Sequence, residues 1–191
     1  MLKYEVLPVT PFMQNCSLVW CEETRDAALI DPGGEMVHLL KAVADRGLQL
    51  KAVWLTHGHL DHVGAADEIR QQTGCPIIGP QRADAFWLEG LPAQSSMFGF
   101  PLTESFAPDR WLESGDILEL GTEQVSVLHC PGHTPGHVVF WYAAGKLVWV
   151  GDVLFQGSIG RTDFPQGNHA TLLDSINHRL LPLGDDVTMV P

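Results

Sequence analysis

Thr56-His57-Gly58-His59-Leu60-Asp61-His62 is the stretch from which the rest of the chain is best read. It follows an apolar run, Ala52-Val53-Trp54-Leu55, inside a predicted strand from Lys51 to Thr56. A predicted helix runs on from about His62 to Gln72. The backbone between them is not yet helical, so His57 and His59 can project toward one point, while Gly58 leaves room for the turn. Asp61 and His62, at the helix start, can face the same cavity from another side. Three imidazoles and a carboxylate so closely spaced match the N and O donors that Zn²⁺, Fe²⁺ and Mn²⁺ accept.

Upstream, short strands are predicted at Tyr4 to Val9, Cys16 to Cys21 and Ala27 to Ile30, the last stopped by Asp31-Pro32-Gly33-Gly34. Met36, Leu39, Leu40 and Val43 recur at helical spacing, and Gly47 closes that helix. Downstream, Pro76 to Ile78 reads as a strand, Gln81 to Leu88 as a helix and Gly90 to Pro108 as a long loop. Four more strands are predicted at Ile117 to Leu120, Gln124 to His129, His137 to Trp141 and Lys146 to Val150. A helix from about His169 to Leu180 and a strand from Val187 to Val190 end the pattern. Strands dominate both halves with helices attached, so the expected fold is α/β: two sheets face to face with helices outside, four layers in one domain spanning 1–191.

Two later segments bear on the same chemistry. Pro131-Gly132-His133-Thr134-Pro135-Gly136-His137 holds a histidine in a tight Gly/Pro loop after a strand, and Gly151-Asp152 brings a carboxylate out at the end of Leu147-Val148-Trp149-Val150. The other histidines read more plainly. His38 and His178 fall on helix surfaces, His169 starts a helix, and His129 and His137 are strand residues or supports for the His133 loop. Cys16, Cys21, Cys75 and Cys130 form no CxxC pair and are expected to be reduced and mostly buried, Cys16 and Cys21 on opposite faces of their strand. Cys130 is read as a small hydrophobe.

The chain has 11 basic and 23 acidic residues, a formal net charge of −12. Such a field repels polyphosphates, so nucleic acid and anionic membrane surfaces are not expected partners. No run of about 18 apolar residues is present to span a bilayer, and Met1 to Glu5 lacks the features of a secretory signal. A cytoplasmic location is the resulting expectation.

His57, His59, Asp61, His62, His133 and Asp152 together resemble the ligand series of the metallo-β-lactamase superfamily, and the resemblance runs from the first strand to the last. It implies a binuclear site for two divalent ions (Zn, Fe or Mn), with His57, His59, His133 and Asp152 at one ion and Asp61, His62 and a bridging Asp152 at the other. Asp31 would support the ligands from behind. His59, where flavodiiron oxygen reductases carry Glu, argues against that branch. Gly151-Asp152-Val153-Leu154-Phe155 and Gly160-Arg161-Thr162-Asp163-Phe164 resemble the glyoxalase II and persulfide dioxygenase group, in particular its short single-domain bacterial members. Arg161 would then contact a substrate carboxylate.

The implied activity is hydrolysis of a small, glutathione-derived thioester such as S-D-lactoylglutathione by a hydroxide held at the metal site. Asp61 and Asp152 are the carboxylates expected to take part in catalysis. A mono-iron persulfide dioxygenase using His57, His133 and Asp152 is the alternative, and a non-catalytic metal-binding domain is a third reading. The family pattern has one further His, in a Pro-Gly-His segment after the last strand. This sequence reaches Val190-Pro191, and the expectation is that the natural chain continues into that segment.

Overall fold

The central strands are apolar on both faces, as expected of sheets covered on both sides. In β2 (Gln14–Cys21), Leu18 faces one core and its neighbour Val19 another. In β8 (Val138–Tyr142), Val138 and Phe140 face one core and Val139 another. Three buried clusters in four layers follow from this alternation. The computed structural model describes all 191 residues.

The first sheet orders β1 (Leu2–Val9), β2, β3 (Asp26–Ile30), β4 (Gln49–Trp54) and β5 (Ile77–Ile78) side by side. The second orders β12 (Thr188–Val190), β9 (Leu147–Trp149), β8, β7 (Glu123–His129) and β6 (Ile117–Leu120). Between them lies a core containing Trp54, Phe140, Tyr142 and Trp149. Outside the first sheet pack α1 (Met36–Asp45), α2 (Leu60–Val63), α3 (Ala66–Thr73), α4 (Ala85–Glu89) and α5 (Leu91–Phe98). Outside the second packs α6 (His169–Ser175), which continues as a π-helical turn over Ile176–Leu180. No helix is long and apolar enough to cross a membrane.

The expected architecture is therefore the observed one, with local corrections. The Gly90 to Pro108 segment is not all loop, since α5 occupies its first half with Pro92 in the first turn, where a missing N–H costs nothing. The helix expected over His62 to Gln72 is split at Gly64 and Ala65 into α2 and α3. There the Ala65 N–H donates to Pro32 O at 3.0 Å, and a Cβ on Gly64 would lie 2.4 Å from the Gly33 carbonyl oxygen. The helix expected at Gln81 to Leu88 begins as a 3₁₀ turn, Arg82–Asp84, before α4. A small hairpin, β10 (Leu154–Phe155) with β11 (Ser158–Ile159), had no clear sequence signal. All four cysteines are free and buried, Cys16 in the outer core and Cys21 between the sheets.

Strand direction places the chemistry. β3 and β4 are parallel neighbours with Ile30 opposite Trp54, so Asp31 and the Thr56–His62 turn emerge at the same edge. β2 runs antiparallel to β3, which brings the β1–β2 tip, with Phe12, to that edge. In the second sheet the β7–β8 loop and the end of β9 arrive opposite, and the Val138 N–H bonds Thr56 O at 2.8 Å across the seam.

Candidate metal centre

Three imidazole nitrogens converge at the seam. His59 Nδ1 lies 3.1 Å from His57 Nε2 and 3.0 Å from His133 Nε2. All three side chains are buried, and burial lowers the pKa of each, so they face one another as neutral rings. Their outward nitrogens fix two of the tautomers. His133 Nδ1 donates to Arg161 O at 2.7 Å. His57 Nδ1 donates to Thr56 Oγ1 at 2.9 Å, whose hydroxyl proton goes on to Asp31 Oδ2 at 2.5 Å. Both Nε2 atoms thus turn their lone pairs inward, toward His59 Nδ1. His59 is turned the other way, with Nδ1 inward and a buried Nε2 that has no hydrogen-bond partner. Three ring nitrogens converging on one point suit a cation.

His62 forms a second cluster beside the first. Its Nδ1 donates to Asp31 Oδ2 at 2.9 Å, leaving Nε2 to face Asp152 Oδ1 at 3.2 Å and Asp61 Oδ2 at 3.8 Å. Burial works to lower its pKa, but the carboxylates of Asp152 and Asp61 outweigh burial and raise it well above the ordinary histidine value. The other oxygen of Asp152, Oδ2, lies 3.3 Å from His133 Nε2. Burial opposes ionisation of Asp152, yet His62 and His133 beside it hold its carboxyl far below the usual range. Asp31 sits at φ 53°, a left-handed conformation that Asp tolerates better than most residues. There its Oδ1 accepts the Thr56 N–H at 2.7 Å while Oδ2 serves Thr56 and His62.

All six residues singled out as ligands, with Asp31 behind them, thus meet in one place. Arg161 lies at the rim, paired with Asp163 through two hydrogen bonds of 2.7 and 2.6 Å and stacked 4.3 Å over the Phe164 ring. Its backbone carbonyl accepts from His133, and the residue lines a cavity over the site. Two further participants come to light, His137, for which the sequence leaves a supporting role open, and Asp84, for which it offers no functional reading. His137, left open as a strand residue or a support, is fully buried, stacked 4.6 Å from the His57 ring, and accepts the Asp152 N–H at 3.2 Å. Asp84, taken only as part of a helix, is fully buried and bonds both histidine loops. Burial pushes its carboxyl up to about 6, against three donors that pull it down. Among the bland readings, Cys130 is buried in the outer core and His38, His169 and His178 are exposed. His129 braces the loop by donating from Nε2 to Pro135 O at 2.9 Å.

Two cavities open on the centre. One, of about 220 Å³, is walled by Phe12, Trp87, Phe98, Phe100 and Phe164, with His59, His133, Asp61, Asp152 and Arg161 at its floor and rim. The other, of about 310 Å³, is more polar, with Gln14, Asn15, Asp31 and His62 among its walls, and Pro191 also borders it.

Residues 9–188 match the sequence profile of the metallo-beta-lactamase superfamily. The chain belongs to the metallo-β-lactamase superfamily. Within it, the chain is 50% identical over 190 residues to the hydroxyacylglutathione hydrolase GloC of Haemophilus influenzae, covering 99% of this chain and 89% of that one. The crystal structure of TTHA1623 in a di-iron-bound form superposes with a TM-score of 0.88 at 35% identity, covering 98% of this chain and 90% of that one. The BLEG-1 B3 metallo-beta-lactamase gives the same TM-score and identity, covering 99% and 90%. This member of the metallo-β-lactamase superfamily is an enzyme of the hydrolase type, and its sequence relationship is to the glyoxalase II-like branch.

Proposed function

We propose that the protein hydrolyses a small hydroxyacyl thioester, with S-D-lactoylglutathione as the representative substrate, at a centre that holds two divalent ions. The observation that carries this reading is the orientation of Asp152, with one oxygen toward His133 and the other toward His62. That orientation suits a carboxylate shared by two ions, one with His57, His59 and His133, the other with Asp61 and His62. The hydroxyacylglutathione hydrolase from Haemophilus influenzae, alike along its whole matched length, supports the substrate class. The di-iron form of TTHA1623 supports iron alongside zinc and manganese as candidate ions.

Bound divalent ions supply Lewis acidity and lower the pKa of a water toward ~7. The chain's own groups do the rest. Asp61, a quarter exposed at the cavity floor, accepts a hydrogen bond and aims the attacking water. Asp31 and Thr56 keep His62 and His57 in the tautomers that leave Nε2 free. The aromatic cavity shields the thioester carbonyl from bulk water, which strengthens every charge interaction inside. A C–O bond forms from water to the acyl carbon, the C–S bond breaks, and the thiolate leaves and takes up a proton. No protein nucleophile is needed, and the nearby Cys130 thiol, pushed up to about 12 by burial, is not one.

The test is metal content per chain together with thiol release from S-D-lactoylglutathione. Nearly two ions and turnover are expected. A metal-loaded protein that releases no thiol sinks the assignment. A single iron, with oxygen uptake on glutathione persulfide, moves it to a persulfide dioxygenase using His57, His133 and Asp152.

A further inference from the structure

Asp84 is a carboxylate buried completely at the seam, and its hydrogen-bond partners are donors from the two histidine loops rather than a cation. Desolvating such a charge is costly unless its lone pairs are met. Its Oδ2 accepts the Gly58 N–H at 2.9 Å and the Thr134 hydroxyl at 2.8 Å, and its Oδ1 accepts the Gly136 N–H at 2.6 Å. The donors have telling positions. Gly58 lies between His57 and His59, Thr134 directly follows His133, and Gly136 directly precedes His137.

The first of these loops leaves the first sheet and the other two donors leave the second, so one side chain grips both. Its own local duties are few. Gln81 caps the 3₁₀ turn by accepting the Ala83 N–H at 2.7 Å, which leaves both Asp84 oxygens for the loops. The two glycines let the loops come close. A Cβ on Gly136 would lie 2.5 Å from Gln81 O and 2.7 Å from Asp84 Oδ1, and one on Gly58 would lie 2.7 Å from Trp87 Cβ.

We propose that Asp84 is a positioning residue for the metal centre, a single carboxylate that ties the His57–His59 turn to the His133 loop and sets the spacing of their three imidazoles. This rests on the reading that those histidines hold an ion, and it predicts a loss in how tightly and in what geometry the ion is held. Holding the Gly58 amide fixes the peptide plane between His57 and His59. Holding Thr134 and Gly136 fixes the loop from which His133 projects. Without the carboxylate, the 3.0 Å approach of His133 Nε2 to His59 Nδ1 would depend on sheet packing and the remaining backbone bonds alone.

The experiment compares wild type with Asp84→Asn and Thr134→Val. Zn²⁺ affinity is measured by competition with a chromophoric chelator, and the Co²⁺-loaded proteins give d–d absorption spectra. Circular dichroism and thermal melting of the metal-free proteins report the fold. Asp84→Asn should weaken Zn²⁺ binding about 10-fold or more, as loss of an outer support typically does, and should shift the Co²⁺ bands. Thr134→Val removes one donor and keeps the charge, so it should weaken binding about fivefold, the worth of one net hydrogen bond, with the metal-free melt unchanged. Wild-type affinity and an unaltered Co²⁺ spectrum in Thr134→Val overturn the proposal, whether or not Asp84→Asn folds. A wild type that takes up no ion overturns the ligand reading and this proposal with it. A metal-loaded wild type inert toward thioesters overturns only the proposed activity.

Discussion

The two halves of the molecule build their shares of the candidate metal centre in different ways. The first half brings four candidate donors from one turn, His57 to His62, and orients two of them, His57 and His62, with its own Asp31 and Thr56. The second half delivers His133 and Asp152 from two separate strand ends, with 18 positions between them in sequence. What holds those two in place is the packing of one sheet on the other, together with a few bonds across the seam. The first half is thus a local device, and the second is as accurate as the fold that carries it.

The largest test of this contrast is Asp152→Ala. Asp152 turns one carboxylate oxygen to each cluster, so its loss should lower kcat/KM by about 10³-fold or more and reduce metal content below two ions per chain. Elemental analysis and steady-state thiol release check both outcomes. Near-normal turnover would mean that the two halves act independently.

Next in size is a paired comparison of core residues. Trp54 lies between the sheets and Leu39 outside the first sheet, both fully buried. Trp54→Ala should cost about 3–5 kcal/mol and Leu39→Ala about 2–5 kcal/mol in denaturant unfolding of the metal-free protein. Only Trp54→Ala should also weaken Zn²⁺ binding by the folded protein, because only that site spaces the two halves. Equal metal affinity in both variants breaks the comparison.

The smallest effect is that of pH. Burial holds His57, His59, His133 and His137 neutral with lowered pKa values. Below about 6.5 the unfolded chain takes up protons on these residues that the folded chain resists, so their stabilising contribution is full above 6.5 and lost as pH falls. His62 acts oppositely, since its raised pKa stabilises the fold at low pH and that contribution fades as pH rises through the folded value. Asp84, pushed up to about 6, works on the side of His62, and with four groups against two the metal-free protein should be less stable at pH 5.5 than at pH 7.5 in urea titration. An increase on acidification would mean that His62 dominates the seam.

The same contrast explains what could be read in advance. The Thr56 to His62 cluster is legible because its geometry is local, with a strand end, a glycine and a helix start imposing convergence over a few residues. His133 and Asp152 are legible through the Gly/Pro loop and the apolar strand that deliver them, once the first cluster gives them a destination. The break at Gly64 is not legible, because it answers the close approach of the Gly33 carbonyl from a distant turn. α5 was obscured by composition, since Pro92, Ser95, Ser96 and Gly99 read as loop although Leu91 and Ser95 face a core. Asp84 resembles any acid in a first helical turn, and its meaning exists only when Gly58 and Gly136 come within reach.

The mouth of the aromatic cavity has an evolutionary consequence. Phe12 belongs to the β1–β2 tip and Phe98 to α5, with Phe100 just beyond it, and their rings meet at 6.1 and 5.2 Å. Neither segment contributes any of the six candidate metal donors. Selection can therefore lengthen, shorten or recolour the entrance while the reacting centre stays untouched. A lineage can change its diet without relearning its chemistry.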